Sequence, residues 1–426
     1  MRLVFLFIVL LNCTDLFASD SLQSKTSNTM QPTKIRWLVT HAPNDYFVKM
    51  AKFFKEKVEM RTNNRVQVEI LDDSGCLNQN FGDLTKQKSV RALMIKLKKS
   101  KFNSPEEEKY LKKLIAHTGS NNFIVELKRY LAMKLLEEGK VDVSQHYTHF
   151  LGEVYNSDFL ALELPYLFMN YAEVDNFIAS NTADKLLTST IQSKGIRGIA
   201  YTFSGGLIDF VTQKNLDMTN FNNWKNLKTK TTATEIKKMT FDFLETKYQV
   251  RHKDYKFNSL IAHRPTFLIM KKTITAEEIN LPDISYWLSE DENFLNKKVF
   301  NNVLQKRASN IAVQETQHSL ISTIMLIREN VYNQLNEKDK IIFNEVAIEA
   351  ANYERQLTID RYQEAKLKLV KSGFKWVEFP ESTKRSFKAK FEPLYQQVYK
   401  KYPNLKTLVE EIENTKNNKP KGVAAI

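Results

Sequence analysis

Residues 139–171, GKVDVSQHYTHFLGEVYNSDFLALELPYLFMNY, decide how the chain is organised. Gly139 can adopt a positive φ and so can end the helical run before it, and the alternation over residues 141–144 predicts a short strand directly afterwards. Polar and aromatic residues crowd the carboxyl end of this strand, which is where open α/β sheets bind ligands. The sequence therefore predicts a ligand site here, with Tyr147 and Thr148 among its candidate residues.

A strand–helix–strand pattern precedes this stretch. Alternating apolar residues mark strands over residues 35–39 and 66–70, and apolar residues at helical spacing mark a helix over residues 47–58 between them. Such a βαβ unit implies a parallel sheet. His41 and Asn44 follow the first strand, so either can contact a ligand there or simply satisfy the turn.

Residues 84–138 predict helices and carry a regional excess of positive charge. Ser104 followed by Pro105 marks a helix start, and an apolar stripe leads to Gly139. This segment holds 13 Lys or Arg against 6 Asp or Glu. It is interpreted either as a docking surface for a partner or acidic lipid headgroups, or as a solvated helical decoration.

The second half predicts further strands and one long helix. Residues 195–206 form a strand ending in a glycine pair, where Phe203 and Ser204 are candidate pocket residues. Residues 337–371 contain no Gly or Pro, which predicts a helix about 50 Å long at 1.5 Å per residue. That length exceeds one small lobe, so the helix should brace two.

The composition limits the classes of function. A chain of 426 residues with 42% hydrophobic content has room for two cored domains. The formal net charge of +14 does not indicate nucleic acid, because its excess is regional and lacks interleaved base-stacking aromatics. The sequence has no GxSxG elbow and no P-loop, and His146 and His149 lack a third ligand of clear spacing, so no enzyme, cofactor or metal is predicted.

The N-terminus predicts export. Residues 3–11 are apolar after Arg2, which matches a secretion signal with cleavage after Ala18, and residues 19–33 form a polar tether. Lipoprotein processing at Cys13 is the less favoured alternative because of the bulky Asn12 before it. After cleavage at Ala18 only Cys76 remains, which excludes an internal disulfide. The predicted location is the periplasm.

Several segments together resemble a known family. The pattern of a helix, G-x-[VI]-D-[MV]-x-Q, LG and ELPYLF is similar to the DctP-type solute-binding proteins of TRAP (tripartite ATP-independent periplasmic) transporters. Four further segments match in the same order, with a gap at 84–121 and a poor match over 235–305: IRWLVTHAPNDYFVKMAKFFKEKVEMRTNNRVQVEIL (35–71), GIRGIAYTFSGGLIDFVTQK (195–214), WKNLKTKT (224–231) and ETQHSLISTIMLI (315–327).

The resemblance implies a two-lobed periplasmic-binding-protein fold of the α/β class, with a long C-terminal helix bracing both lobes. The expected divisions are a signal peptide (1–18), a tether (19–33), lobe 1 (34–160 and 305–336, with a helical insertion at about 84–121), lobe 2 (161–304), the bridging helix (337–372), and C-terminal helices and tail (373–426). The implied function is capture of a small, carboxylate-bearing solute by lobe closure and its delivery to a membrane permease.

The resemblance also implies ligand-binding residues, with two departures. Where the family has an arginine that pairs with the solute carboxylate this sequence has Lys230, which offers a point charge without the planar fork, and Ile208 replaces a second arginine. Lys230 is the candidate anchor or else a structural lysine, and Arg264 is a possible substitute cation. Gln317 and His318 are candidates for the cleft wall, with a structural role for His318 equally open.

Because both family arginines are missing, a second function remains open beside solute transport. On this hypothesis the same scaffold is a ligand sensor or a protein-interaction module that uses its basic insertion.

Overall fold

Two mixed β-sheets flanked by helices organise the chain in this computed structural model, which describes residues 31–40, 46–99, 104–116, 121–189, 191–225, 227–231, 234–250, 274–282 and 297–416. Residues Pro32–Ile426 form one compact unit. The arrangement confirms the predicted α/β class and two-sheet architecture.

The strands of the described residues divide between the sheets. The first sheet has the order β2-β1-β3-β10-β4 and the second has the order β11-β9-β5-β8-β6-β7. Their bounds are β1 Thr33–Val39, β2 Val66–Asp72, β3 Val143–Tyr147, β4 Ile196–Leu207, β5 Asp209–Gln213, β6 Lys228–Thr231, β7 Lys247–Val250, β8 Ala276–Ile279, β9 Ile311–Glu315, β10 Leu320–Arg328 and β11 Lys375–Glu378.

Helices cover both sheets and include short 3-10 turns at Ser157–Glu163, Gln192–Lys194 and Phe221–Trp224. The α-helices of the described residues are α1 Tyr46–Arg61, α2 Asp73–Phe81, α3 Gln87–Lys99, α4 Pro105–Ala116, α5 Asn121–Glu137, α6 Thr148–Val154, α7 Tyr171–Ile178, α8 Asn181–Thr188, α9 Glu235–Phe243, α10 Lys297–Asn310, α11 Glu329–Gln334, α12 Glu337–Lys371, α13 Glu381–Lys390, α14 Glu392–Lys401 and α15 Asn404–Thr415.

The opening βαβ unit forms as predicted. β1 pairs in parallel with β2 and with β3, while β10 runs antiparallel between β3 and β4. One face of α1 is buried on this sheet, where the ring of Phe54 meets Trp37 edge-on with centroids 5.3 Å apart. Gly139 has φ of +71° and lies in the turn between α5 and β3.

Two strands cross the expected lobe divisions. β4, which those divisions place in lobe 2, belongs to the first sheet, and β9, which they place in lobe 1, belongs to the second. The chain exchanges sheets because β4 leads almost directly into β5, and β9 leads through four residues into β10.

The long helix α12 has the predicted bounds and packs on both sheets. Its first half is buried against the first sheet, where Phe343 meets Phe54 at 5.0 Å between ring centroids. Its second half places Tyr362 and Leu369 in the core of the second sheet. Asn336 caps its start by accepting a hydrogen bond from the amide of Asp339 at 2.9 Å.

The segment of the predicted insertion is helical. α4 begins at Pro105, with the Ser104 hydroxyl accepting a hydrogen bond from the Glu107 amide at 3.1 Å. The carboxylate of Glu107 is buried, accepts from the Tyr130 hydroxyl at 2.8 Å, and pairs with Lys134 at 2.6 Å on α5. These contacts fix α4 to the helix that leads into β3.

None of the helices in the described ranges is both apolar enough and long enough for a bilayer crossing.

Candidate functional site

Paired crossings connect the two sheets. Ile208 separates β4 from β5, and residues 316–319 separate β9 from β10. The two segments run side by side: the Ile208 amide donates to the Ser319 carbonyl at 2.8 Å, and the His318 amide donates to the Ile208 carbonyl at 3.1 Å. Because these two segments join the sheets directly, a rotation of one sheet against the other would alter their backbone and move the polar groups around them.

Polar side chains from both sheets meet beside the crossings. The hydroxyl of Tyr147, at the end of β3, lies 2.6 Å from the hydroxyl of Ser204 in β4. The amide nitrogen of Asn280, just after β8, donates to the Ser204 carbonyl at 3.1 Å. The side-chain oxygen of Asn280 is buried without a hydrogen-bond partner among the described residues. It is therefore a candidate acceptor for a ligand held between the sheets.

The glycine pair of β4, Gly205 and Gly206, lies where the strand comes close to Asn280 and Tyr171. A Cβ on Gly205 would lie 1.8 Å from the Asn280 side-chain nitrogen, and one on Gly206 would lie 2.5 Å from the Tyr171 hydroxyl. Both residues have positive φ, where β4 bulges against β10. Glycine therefore allows the end of β4 to approach the second sheet.

A guanidinium adjoins this group. Arg129 on α5 is partly exposed, and its Cζ lies 3.9 Å from the centroid of the Tyr147 ring, a cation–π contact. Its Nη1 donates to Glu126 at 2.6 Å. Arg129 was not predicted as a site residue because it lies on a helix 18 residues before Tyr147. The one signal in the sequence was its position beside the apolar stripe of α5, which indicates a side chain near the protein interior.

A buried ionic network lies on the second sheet. Glu278 of β8 accepts hydrogen bonds from Lys237 of α9 at 2.8 Å and from His318 at 2.9 Å, and also pairs with the Thr231 hydroxyl. Burial acts to raise the pKa of Glu278, but Lys237 and His318 outweigh it, so this pKa is lowered. Burial lowers the pKa of His318 against the opposing effect of Glu278.

These contacts engage both ring nitrogens of His318. Nε2 donates to Glu278, and Nδ1 lies 2.8 Å from the Thr316 hydroxyl. The ring also stacks on Phe210 with centroids 4.6 Å apart. The histidine thus links the crossing to the ionic network and helps to fix the orientation of the second sheet.

A second buried carboxylate faces the network without equivalent partners. Glu163, at the end of a 3-10 helix, is 2% exposed, and neither of its oxygens has a hydrogen-bond partner among the described residues. His149 is 3.7 Å away. Burial raises the pKa of Glu163 to about 7, against the opposing effect of Lys237 and Thr234 at the start of α9. Burial and nearby cations, Arg129 first, lower the pKa of His149 well below its usual value.

The remaining candidates are held in protein contacts. The Thr148 hydroxyl lies 3.0 Å from that of Ser322. Phe203 is fully buried 5.6 Å from the Tyr171 ring. The side-chain oxygen of Gln317 accepts from Lys384 at 2.5 Å. The structure thus brings Tyr147 and Ser204 together, and it places Gln317 and His318 at the crossing; ligand contact by any of these residues stays a prediction.

Three of the candidate cations and turn residues lie outside the described residues, namely His41, Asn44 and Arg264. For Lys230 only the backbone is described. It lies in β6, opposite Glu277 of β8 and Gln249 of β7 in the strand register. Ile208, which stands where the family has an arginine, is 2% exposed at the crossing. An apolar side chain at that position fits its burial.

The two histidines considered as metal ligands point to different neighbours. His146 is buried and lies 5.8 Å from the Phe150 ring, and burial lowers its pKa to about 3. His149 faces Glu163 instead. Within the described ranges, no three His, Cys, Asp or Glu residues are grouped closely enough to hold a metal ion.

Two α/β sheets, joined by paired crossings and braced by one helix, with polar groups from both sheets meeting at the junction, define a two-lobed binding protein. The family model DctP, described as bacterial extracellular solute-binding protein, family 7, matches residues 128–250 and 299–402, more than half of the chain. The chain belongs to this family, which confirms the resemblance seen in its motifs. Its members bind solutes and are not enzymes.

Solved structures share the fold. One is a TRAP periplasmic solute-binding protein from Roseobacter denitrificans with bound β-D-glucuronate, with a TM-score of 0.58 and 15% identity over 89% of this chain and 98% of that one. Another, from Ochrobactrum anthropi, has its own C-terminus bound in the ligand-binding pocket; its TM-score is 0.62, with 14% identity over 90% of this chain and 97% of that one.

A third structure, from Shewanella oneidensis with bound succinate, has a TM-score of 0.56 and 16% identity over 91% of this chain and 100% of that one. At these identities the similarity shows the fold alone. A curated solute-binding protein from Chromohalobacter salexigens is 29% identical over 102 residues, which are 24% of this chain and 30% of that protein. The match therefore spans less than a third of that relative.

Proposed function

We propose that this chain is the periplasmic solute-binding subunit of a TRAP-type transporter, exported through its N-terminal signal, and that it captures a small carboxylate-bearing solute for a membrane permease. The observation that carries the ligand class is the guanidinium of Arg129 on the ring of Tyr147, next to the Tyr147–Ser204–Asn280 contacts between the sheets. Two of the similar structures hold glucuronate and succinate, each a carboxylate.

Arg129 supplies the planar donor that Lys230 lacks. One of its nitrogens bonds Glu126, which leaves further N–H groups for a solute carboxylate. The unpartnered oxygen of Asn280 suits a hydroxyl of the same solute. Lys230 of β6 remains the anchor expected from the sequence, and a ligand held from both sheets would favour the closed form over the open one.

Binding is tested by calorimetry and thermal shift with succinate, glucuronate and galacturonate, and with glucose as the uncharged analogue. We expect at least one acid to raise the melting temperature, since a ligand of the folded form stabilises it by mass action. Arg129→Gln should lower the affinity for that acid by roughly 10- to 100-fold, because one charge-assisted pair of hydrogen bonds is lost.

The chain offers a matched control. Arg197 also stacks on a tyrosine, 4.6 Å from the centroid of Tyr332, and lies 3.5 Å from Glu329, but it is at the opposite end of β4 from Ser204. Arg197→Gln should leave affinity unchanged. If Arg129→Gln has no effect and Lys230→Ala abolishes binding, Lys230 alone anchors the carboxylate. If no acid binds to the wild-type protein, the transport proposal fails and the sensor or interaction module takes its place.

A further inference from the structure

Helix α3 has two faces of opposite character. Val90, Leu93 and Met94 are buried and attach the helix to the body of the protein. The opposite side is exposed and carries a set of cations at helical spacing, called here the basic face: Lys88, Arg91, Lys96, Lys98 and Lys99.

The basic face has no counter-charge of its own. α3 contains no Asp or Glu, and none of these five cations forms an ion pair with another described residue. Ile95 is 50% exposed in the middle of the face, one turn from Arg91 and one turn from Lys99. Over 13 residues the helix presents about 20 Å of positive surface around this apolar side chain.

We propose that the basic face of α3 docks the protein on a bilayer that contains anionic phospholipid. Lysines around one exposed isoleucine fit a lipid surface because their stems can lie along the acyl boundary while the ammonium groups meet phosphates. A protein partner is less suited: lysine is depleted in protein interfaces, and the basic face has no aromatic residue to serve as an anchor.

Helix α3 packs into the same hydrophobic core as α4 and α5, and α4 is bonded to its neighbours. Lys113 of α4 pairs with Glu153 of α6 at 2.8 Å, and Glu153 also accepts from the Glu235 amide at the start of α9 at 2.9 Å. Together with the Glu107 contacts to α5, these bonds tie the helical segment to the sheet that carries Tyr147. Docking through α3 would therefore orient the lobes at the membrane and confine diffusion to its surface.

The experiment is vesicle co-sedimentation of the chain from Ser19 onwards, which lacks the apolar run 3–11 and includes the compact unit Pro32–Ile426. The vesicles are phosphatidylglycerol mixed with phosphatidylcholine, and phosphatidylcholine alone. We expect binding to the anionic vesicles only, weakening as salt rises. At roughly fivefold per cation, neutralising Lys88, Arg91, Lys96 and Lys99 to Gln should lower partitioning a hundredfold or more.

The matched variant neutralises four exposed lysines of α1 and α12, Lys49, Lys52, Lys338 and Lys371, to Gln. It has the same net charge as the α3 variant, so retained binding shows that the location of the charge matters. Equal loss in both variants overturns the proposal in favour of attraction by net charge. If the protein does not bind the vesicles, the membrane proposal is overturned. A fall in solute uptake in cells that carry the α3 variant would then indicate that the basic face binds an acidic protein surface.

Discussion

The crossing between the sheets and the surroundings of Glu163 are both buried, but the carboxylates in the two regions differ in their hydrogen bonds. Asp209, at the crossing, accepts from the Gln317 amide at 3.0 Å and from the Tyr362 hydroxyl at 2.9 Å. Neither oxygen of Glu163 has a hydrogen bond of that geometry to a described residue, although Lys237 and the Thr234 hydroxyl act to lower its pKa. Burial raises the pKa of each to about 7. Asp209 is thus held at the junction by two hydrogen bonds, whereas the Glu163 carboxyl lacks bonds of that geometry to the described residues.

The largest effect should follow from breaking the bonded network. Lys237→Met removes the ammonium from Glu278 and leaves a buried carboxylate short of a partner, so we expect a loss of about 3–5 kcal/mol in the free energy of unfolding. Chemical denaturation measures it. Lys340→Met is the control, because its pair with exposed Glu337 has nearly the same length, 2.7 Å, and should contribute less than about 1 kcal/mol.

A second variant separates charge from packing. Lys237→Met combined with Glu278→Gln removes both charges, and most of the lost stability should return. If the double variant is as unstable as the single one, packing of the Lys237 stem accounts for the loss of stability. The difference between the ionic network and Glu163 would then not be a difference in charge pairing.

Glu163→Gln should have an effect that depends on pH. Since the folded pKa of about 7 exceeds the ordinary 4.5, the protonated form suits the folded protein; its stabilisation is complete below pH 4.5 and is lost as pH rises through 7. The variant should therefore unfold at higher temperature than wild type at pH 8, by up to about 3 kcal/mol in free energy, and equal it near pH 4.5. A difference that does not vary with pH would show that Glu163 keeps its charge in a partnered site.

Local elements of the fold could be predicted because their causes lie in neighbouring residues. The spacing of Phe47, Met50 and Phe54 gave α1, and the absence of Gly and Pro gave α12 with its bounds. Ser104 and Pro105 gave the start of α4. Each signal lies within one continuous segment of the chain, so a single sequence contains it.

The junction could be predicted only in part, because its contacts join residues far apart in the chain. The end of β3 was expected to face the site, and Tyr147 does meet Ser204 there. Arg129 and the network of Glu278 with Lys237 and His318 were missed, since no local pattern states which helix covers which strand. The exchange of β4 and β9 between sheets was missed for the same reason.

The smallest effect should come from the bonded carboxylate at the crossing. The Tyr362 hydroxyl of α12 lies 2.9 Å from Asp209 and 3.1 Å from Glu315, so Tyr362→Phe removes one buried donor without changing the ring. We expect a loss of about 1–2 kcal/mol by chemical denaturation. Tyr353→Phe, on the same helix but 37% exposed, should cost almost nothing.

The pH dependence of Tyr362→Phe runs opposite to that of Glu163→Gln. The hydroxyl lowers the pKa of Asp209, and a hydrogen bond to an ionised acceptor is stronger than one to a neutral carboxyl. Removing it should therefore destabilise the protein more as pH rises through about 7, whereas Glu163→Gln becomes increasingly stabilising over the same range. If the change in unfolding free energy has the same dependence on pH in both variants, Asp209 and Glu163 respond alike. Their different hydrogen bonds would then not distinguish the two carboxylates.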